Sequence, residues 1–293
     1  MVTLFKAWMF NTIVLSGAAT NGFLIIGALD QLFESGCIGK TRNLIGTSIG
    51  AIIAFLLSLG MTPKTIFFHL SSLQINDFSF NEVETFFNSF GMDNGEKFMA
   101  RIIDIIIVCG ESPLITFSQF YKKYNKNLVI VGANVSKHKT EYFSVESYPN
   151  LKIIEAIRIS ISIPFFFTPV KLNGDYYCDG AITCNYAIDY ASENFPGDKI
   201  IGFCVDNLQV TEIKNFQNYV YSIFASGKKK NNLRNTVRLE TKHDSLNISL
   251  TDSEKKDMFQ SGKDMCLTYL KGLSPLHNKL PFKLDMIKRR HSF

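Results

Sequence analysis

From Leu44 to Gly60 the chain carries no charged side chain. The run approaches the roughly 18 apolar residues needed for a membrane-spanning helix. Gly46, Ser48 and Gly50 interrupt its start. A membrane span and a buried strand–turn–helix both accommodate the run, and the small residues at its start favour the second. In that reading Leu44-Ile45 is a short strand and Ile49–Leu59 is a strongly apolar helix that stops at Gly60. Both elements then have to be covered by other parts of the chain, which confines it to layered architectures.

The remaining pattern supplies those layers. Thr12–Leu15 reads as a buried strand bounded by Ser16-Gly17, and Phe23–Phe33 as a helix stopping at Ser35-Gly36. Thr62-Pro63 places proline in the first turn of a helix running to Ser71. Residues 74–112 give weaker, mostly helical signals, with an amphipathic or core helix over Phe98–Val108. Phe117–Tyr124 is a short amphipathic helix, and Leu128–Val131 and Glu141–Val145 are strands. Ile153–Ile161 is helical before Pro164, a hairpin turn falls at Asn173-Gly174, and Ile200–Val205 is an apolar strand. Strands alternating with helices predict an α/β fold with a largely parallel sheet.

Composition narrows the function classes. With 293 residues and 46% hydrophobic content the chain can bury a sizeable core, and it is neither disordered nor a small disulfide scaffold. The net charge of +5 is mild, less than a nucleic-acid binder of this size usually carries, and it remains compatible with visits to an anionic lipid surface. Cysteines 37, 109, 178, 184, 204 and 266 are too scattered for a zinc site and suit reduced thiols in a cytosol-like compartment. Residues 1–19 could pass for a signal peptide, but a strand entering a small-residue loop accounts for them better. The basic residues in 226–244 (Lys228–Lys230, Arg234, Arg238) read first as a solvated loop and second as a lipid-surface contact. The tail Lys288-Arg289-Arg290 reads as a solubilising end. The Phe- and Ile-rich residues 62–120 are mostly ordinary core, with a lid or acyl pocket as the alternative.

Three segments carry chemistry. Gly46-Thr47-Ser48-Ile49-Gly50 matches G-x-S-x-G between a strand and a helix. A serine on so tight a turn has its hydroxyl pushed out of the sheet, and the helix N-terminus favours negative charge developing there. The competing reading is a helix entry with Ser48 as its N-cap. Leu15–Gly22 is a small-residue loop between the first strand and its helix, able to aim backbone N–H groups at an anion. A phosphate cradle is the competitor, although the Lys-Ser/Thr of a P-loop is missing. Finally, Ile157–Val170, rich in Ile, Ser and Phe around Pro164, leads through the hairpin to Asp179-Gly180-Ala181. That Asp-Gly pair could be only another turn.

Taken in order, these segments resemble the patatin-like phospholipase family over roughly residues 12–207. That family has a glycine-rich oxyanion loop after the first strand, then G-x-S-x-G, then a proline segment, then Asp-Gly-Gly or Asp-Gly-Ala. Asn185 also falls where the family often has Asn. The resemblance implies a three-layer α/β/α fold with a mostly parallel central sheet, a catalytic domain over 8–207, and a C-terminal extension, 208–293, packed on it. It implies a serine acyl hydrolase that cleaves acyl esters of phospholipids or related lipids through an acyl-enzyme. Ser48 would be the nucleophile and Asp179 the base, Gly17, Ala18 and Ala19 the oxyanion hole, Gly46 and Gly50 the nucleophile turn, and Gly180 and Ala181 the dyad-acid motif. Ile182 and Phe165 are expected as apolar walls beside Asp179. No metal or cofactor is implied, and location would be cytoplasmic or peripheral to membranes. The chain departs from the family in having Gly17-Ala18-Ala19 for a triple glycine, Asn21 for a loop cation, and Ile-Ser-Ile in the proline segment, read as a packing change. Alanine still offers its N–H but resists positive φ. Two rivals follow: a non-catalytic lipid- or protein-binding relative, and an esterase using His243 or His277 as base.

Overall fold

The computed structural model describes residues 9–73, 83–207, 233–244 and 249–273, together with Tyr219 and Ser222. The chain begins with β1 (Thr12–Leu15), a single 3-10 turn (Ala19–Asn21), α1 (Gly22–Glu34), β2 (Asn43–Thr47), α2 (Ile49–Ser58), α3 (Pro63–Ser71) and α4 (Val83–Ser89). It continues with β3 (Gly91–Asp93), α5 (Glu96–Val108), α6 (Phe117–Tyr124), β4 (Asn127–Asn134), β5 (Lys139–Phe143), α7 (Ile153–Ser160) and β6 (Phe165–Phe167). Then come β7 (Val170–Leu172), β8 (Asp175–Asp179), α8 (Ala181–Cys184), α9 (Ile188–Asn194), β9 (Ile200–Asn207), β10 (Thr236–Thr241) and α10 (Asp252–Leu273).

The main sheet runs in the order β10-β9-β1-β2-β4-β8-β7, with β5 also paired to β4. The five strands from β10 to β4 are mutually parallel, and β5, β7 and β8 add antiparallel pairs. Central parallel strands are buried on both faces, which is why their sequences are continuous apolar runs rather than alternating ones. Successive residues nevertheless feed different cores. Ile13, Leu15, Leu44 and Ile130 pack with α1, α2 and α7, whereas Val14, Ile45, Val129 and Val131 pack with Tyr186 and α9. Helices therefore cover both faces, and the three-layer expectation holds.

The charge-free run divides as its small residues predict. Its first part is β2, at the centre of the sheet, and its second is α2, only ten residues long and buried from Gly50 to Ser58. Among the described residues no helix is long and apolar enough to cross a membrane. Pro63 occupies the first turn of α3, with the Thr62 hydroxyl accepting from the Thr65 N–H (3.2 Å).

Two elements differ from the sequence reading, and a third lies in a stretch to which it assigns no element. Part of 226–244 is not loop, because β10 extends the sheet beyond β9; its Arg238 and Glu240 point outward while Val237 and Leu239 are buried. β3 emerges within the segment read as helical and pairs with β6 in a separate two-stranded sheet. The long α10 packs along α1, where Lys263 Nζ reaches Asp30 Oδ2 (2.6 Å) and Glu34 Oε2 (3.0 Å). Residues 226–232 and the basic tail lie outside the described residues.

One feature of the topology builds the site. Thr47, the last residue of β2, stands opposite Val131 on β4; Asp179, the last residue of β8, stands opposite the next residue, Gly132. The other edge of β4 is taken by β5. β2 and β8 thus share one edge of β4, run in opposite directions and meet end to end. Residues distant in sequence are delivered to a single point by strand register.

Candidate active site

Ser48 is the residue immediately beyond β2. Its backbone has φ 56° and ψ −126°, a conformation that costs on the order of 1–3 kcal/mol for a non-glycine residue. Its hydroxyl does not cap α2; it donates to Asp179 Oδ2 at 2.7 Å. Both side chains are buried, Ser48 6% and Asp179 1% exposed. The N-cap alternative is therefore set aside, and the strain is maintained by what surrounds the turn. The Ser48 N–H donates to Ser160 Oγ (2.9 Å), and the Ser160 hydroxyl donates to the Val131 carbonyl (2.6 Å). At Gly50 a Cβ would stand 2.6 Å from the Ser16 carbonyl and 2.7 Å from that of Leu15, so only glycine lets α2 start so close to β1. Gly46 likewise lies under the Gly50 carbonyl.

Asp179 is fixed from three directions. Its N–H donates to the Ser162 carbonyl (2.9 Å), and its Oδ1 accepts from the Ala181 N–H (2.8 Å), while Oδ2 faces Ser48. A Cβ on Gly180 would run into the Val131 carbonyl, which explains the glycine after the acid. The setting is hostile to charge: burial, then the Asp179 carboxylate, pushes the neighbouring Cys178 thiol up to about 12.

The small-residue loop lies against this pair. Gly17 sits beside the Ser48 Cβ. Asn185 holds it at both ends, its carbonyl accepting from the Gly17 N–H (3.0 Å) and its Nδ2 donating to the Gly17 carbonyl (3.2 Å). This corrects one expectation: the Gly17 N–H is engaged by Asn185 and is not presented to an oxyanion. The Ala18 and Ala19 N–H groups donate to no described residue. Ala19 has φ 46°, the left-handed backbone in which alanine is disfavoured.

An apolar cavity of about 150 Å³ opens beside Ser48. Ala19 and Ser48 line it together, and its walls come from α1 (Phe23, Ile26), α2 (Ile52) and β6 (Phe166, Phe167). Leu70, Leu73 and Phe98 also contribute, so a few residues of the 62–120 segment form pocket wall and others form core. Phe165, expected as an apolar wall beside Asp179, is exposed, with its ring packed on that of Phe86. The proline segment is tied down by Arg158, whose guanidinium donates to Ser162 Oγ, the Asn94 carbonyl (2.8 Å) and the Thr168 carbonyl (3.1 Å). Burial lowers the pKa of Arg158, and the buried Asp93 opposes that shift. Among the described residues no group of three His, Cys, Asp or Glu side chains is placed to hold a metal ion.

The sequence profile described as "Patatin-like phospholipase" matches residues 13–192. The chain belongs to the patatin-like phospholipase family. A relative named "Probable lipid hydrolase 463L", from Invertebrate iridescent virus 6, is 34% identical over 190 residues, 64% of each chain. Protein R571 of Acanthamoeba polyphaga mimivirus is 32% identical over 226 residues, 73% of this chain and 74% of that one. The fold is shared with VipD from Legionella pneumophila, at a TM-score of 0.66 and 18% identity, covering 90% of this chain and 67% of VipD. The match spans just under two thirds of the iridescent-virus relative's own length.

In patatin-like terms, the four motifs converge as their order predicts, and two serines of the proline segment hold them together. Ser160 and Ser162 belong to the Ile-Ser-Ile run read as a packing change; one holds the Ser48 backbone and the other that of Asp179. The family's loop cation is replaced by Asn21, whose buried side chain donates to the His243 carbonyl (3.2 Å). His243 itself is exposed, and His277 lies outside the described residues.

Proposed function

We propose that the chain is a serine acyl hydrolase working through a Ser48–Asp179 dyad. The observation that carries the reading is the 2.7 Å hydrogen bond from the Ser48 hydroxyl to a buried carboxylate, at the edge of an apolar cavity. An acyl chain fills the cavity and brings its ester carbonyl to Ser48. Ser48 Oγ attacks the carbonyl carbon as its proton passes to Asp179. The negative charge on the carbonyl oxygen is met by the N–H groups of Ala18 and Ala19, with the α1 N-terminus behind them. The Ser48 N–H is held by Ser160, so this charge has to be met from the loop. Asp179 then returns the proton to the leaving alcohol. In the second half, Asp179 takes a proton from water, hydroxide adds to the acyl-enzyme, and the fatty acid leaves as Ser48 recovers its proton.

The substrate we infer is an acyl ester of a phospholipid or related lipid, because the cavity walls are aliphatic and aromatic and suit a hydrocarbon chain. Fatty-acid release from phospholipid vesicles and from short soluble esters tests this directly. Wild-type protein should release fatty acid, and Ser48→Ala and Asp179→Asn should each lose at least about 100-fold. Undiminished turnover in both variants would overturn the dyad.

A further inference from the structure

Around β3 and β6 the chain exposes aromatic side chains that a folded core would be expected to hide. Phe87 is 71% exposed, Phe90 61% and Phe165 41%. They belong to one small module. Gly91, which follows Phe90, pairs with Phe165 across the β3–β6 sheet, and the Phe86 ring packs on both Phe87 (5.5 Å) and Phe165 (6.3 Å). Phe90 and Phe165 have φ 60° and 68°, a backbone that bulky residues rarely adopt. Together the three side chains leave on the order of 350 Å² of apolar surface in water, the size of the largest patch on an ordinary monomer, which is often a functional one.

The face is joined to the cavity wall through β6. β6 turns Phe165 to solvent, while the next two residues, Phe166 and Phe167, line the space beside Ser48. A lipid withdrawn from a bilayer at Phe165 would reach the cavity along an aromatic path.

We propose that Phe87, Phe90 and Phe165 form the surface by which the protein docks on a phospholipid bilayer, delivering acyl chains to the cavity. The inference rests on the lipid-hydrolase reading for its purpose and is tested separately from it. The rings insert among the acyl chains and headgroups by apolar burial. Docking therefore needs no anionic lipid and survives high salt. That separates it from attraction of the basic segment to a charged membrane.

The test is co-sedimentation with pure phosphatidylcholine vesicles, using wild-type protein and the Ser48→Ala variant, so that binding is read whether or not catalysis occurs. Both should bind, with little change between about 0.1 and 1 M salt. Phe87→Ser and Phe90→Ser should each weaken partitioning about tenfold while turnover of a short soluble ester is unchanged. Val108→Ser, at an equally exposed position at the far end of α5, should bind as wild type. The chain has a single tryptophan; in a Trp8→Phe background, Phe87→Trp should show a blue-shifted emission when vesicles are added. Failure of wild type to bind neutral vesicles, binding abolished by salt, or equal loss in Val108→Ser would overturn the proposal. So would a wild-type dimer, dispersed by the Phe87 and Phe90 substitutions, that leaves vesicles alone.

Discussion

Replacing Ser160 with alanine removes one hydroxyl that never touches substrate, yet the structure assigns it a large effect. Ser160 is fully buried, and its Oγ is the acceptor for the Ser48 N–H at 2.9 Å. Without it that N–H is a buried donor with no partner, which costs about 1–3 kcal/mol. The same hydrogen bond keeps Ser48 at φ 56°, and a turn storing on the order of 1–3 kcal/mol of strain relaxes when its restraint is removed. A shift of about 1 Å at the nucleophile is enough to lower the rate about 100-fold. Ser160→Ala is therefore expected to lower the urea unfolding free energy by about 2 kcal/mol and kcat on a short soluble ester by about 100-fold. KM should change little, because the cavity walls are untouched. A variant that loses stability but keeps kcat within about twofold would show that Ser160 is only packing and that the turn holds itself.

Two further outcomes follow from the same contacts. Ala19→Gly relieves a left-handed alanine worth about 1–2 kcal/mol and gives back about 0.4–1 kcal/mol through the freer unfolded chain; a net gain of about 0.5 kcal/mol is expected in chemical denaturation, whereas Ala18→Gly, at φ −150°, should only destabilise. Glu111 is buried, and its carboxylate accepts from Lys123 Nζ (2.8 Å), Tyr124 Oη (2.5 Å) and the Ser112 N–H (2.8 Å); burial raises its pKa, but these hydrogen bonds outweigh it and hold the group below its ordinary value of 4.5. A depressed folded pKa stabilises above the ordinary value and stops doing so as pH falls through the folded one, so Glu111→Gln should cost about 1 kcal/mol at neutral pH, with the gap closing below pH 4.5 in urea titrations at stepped pH.

How much of this could be read from the sequence depends on how local each feature is. β1 with its loop, and β2 with Ser48 and α2, were legible because apolar runs, small residues and glycines lie side by side in the chain. Asp179 was legible through the resemblance of ordered motifs, not through any local mark of a base. The roles of Ser160 and Asn185 were not, since each depends on a partner brought up by folding: Asn185 contacts Gly17 across 168 positions. That is also why the Gly17 N–H was expected at the oxyanion and is found on Asn185. β10 is hard to read in the sequence because Arg238 and Glu240, on its outward side, mask an alternation only six residues long. β3 is three residues long, pairs only with β6 and follows a segment with helical character.

The central claim is that Ser48 is an activated nucleophile and that Asp179 activates it. Intact-mass and peptide-mapping analysis of the protein after brief exposure to a fluorophosphonate tests it most directly. A single adduct on Ser48 is expected, formed at least about 100-fold more slowly in Asp179→Asn under conditions where the variant remains folded. An unlabelled Ser48, or Asp179→Asn labelled at the wild-type rate, would contradict it.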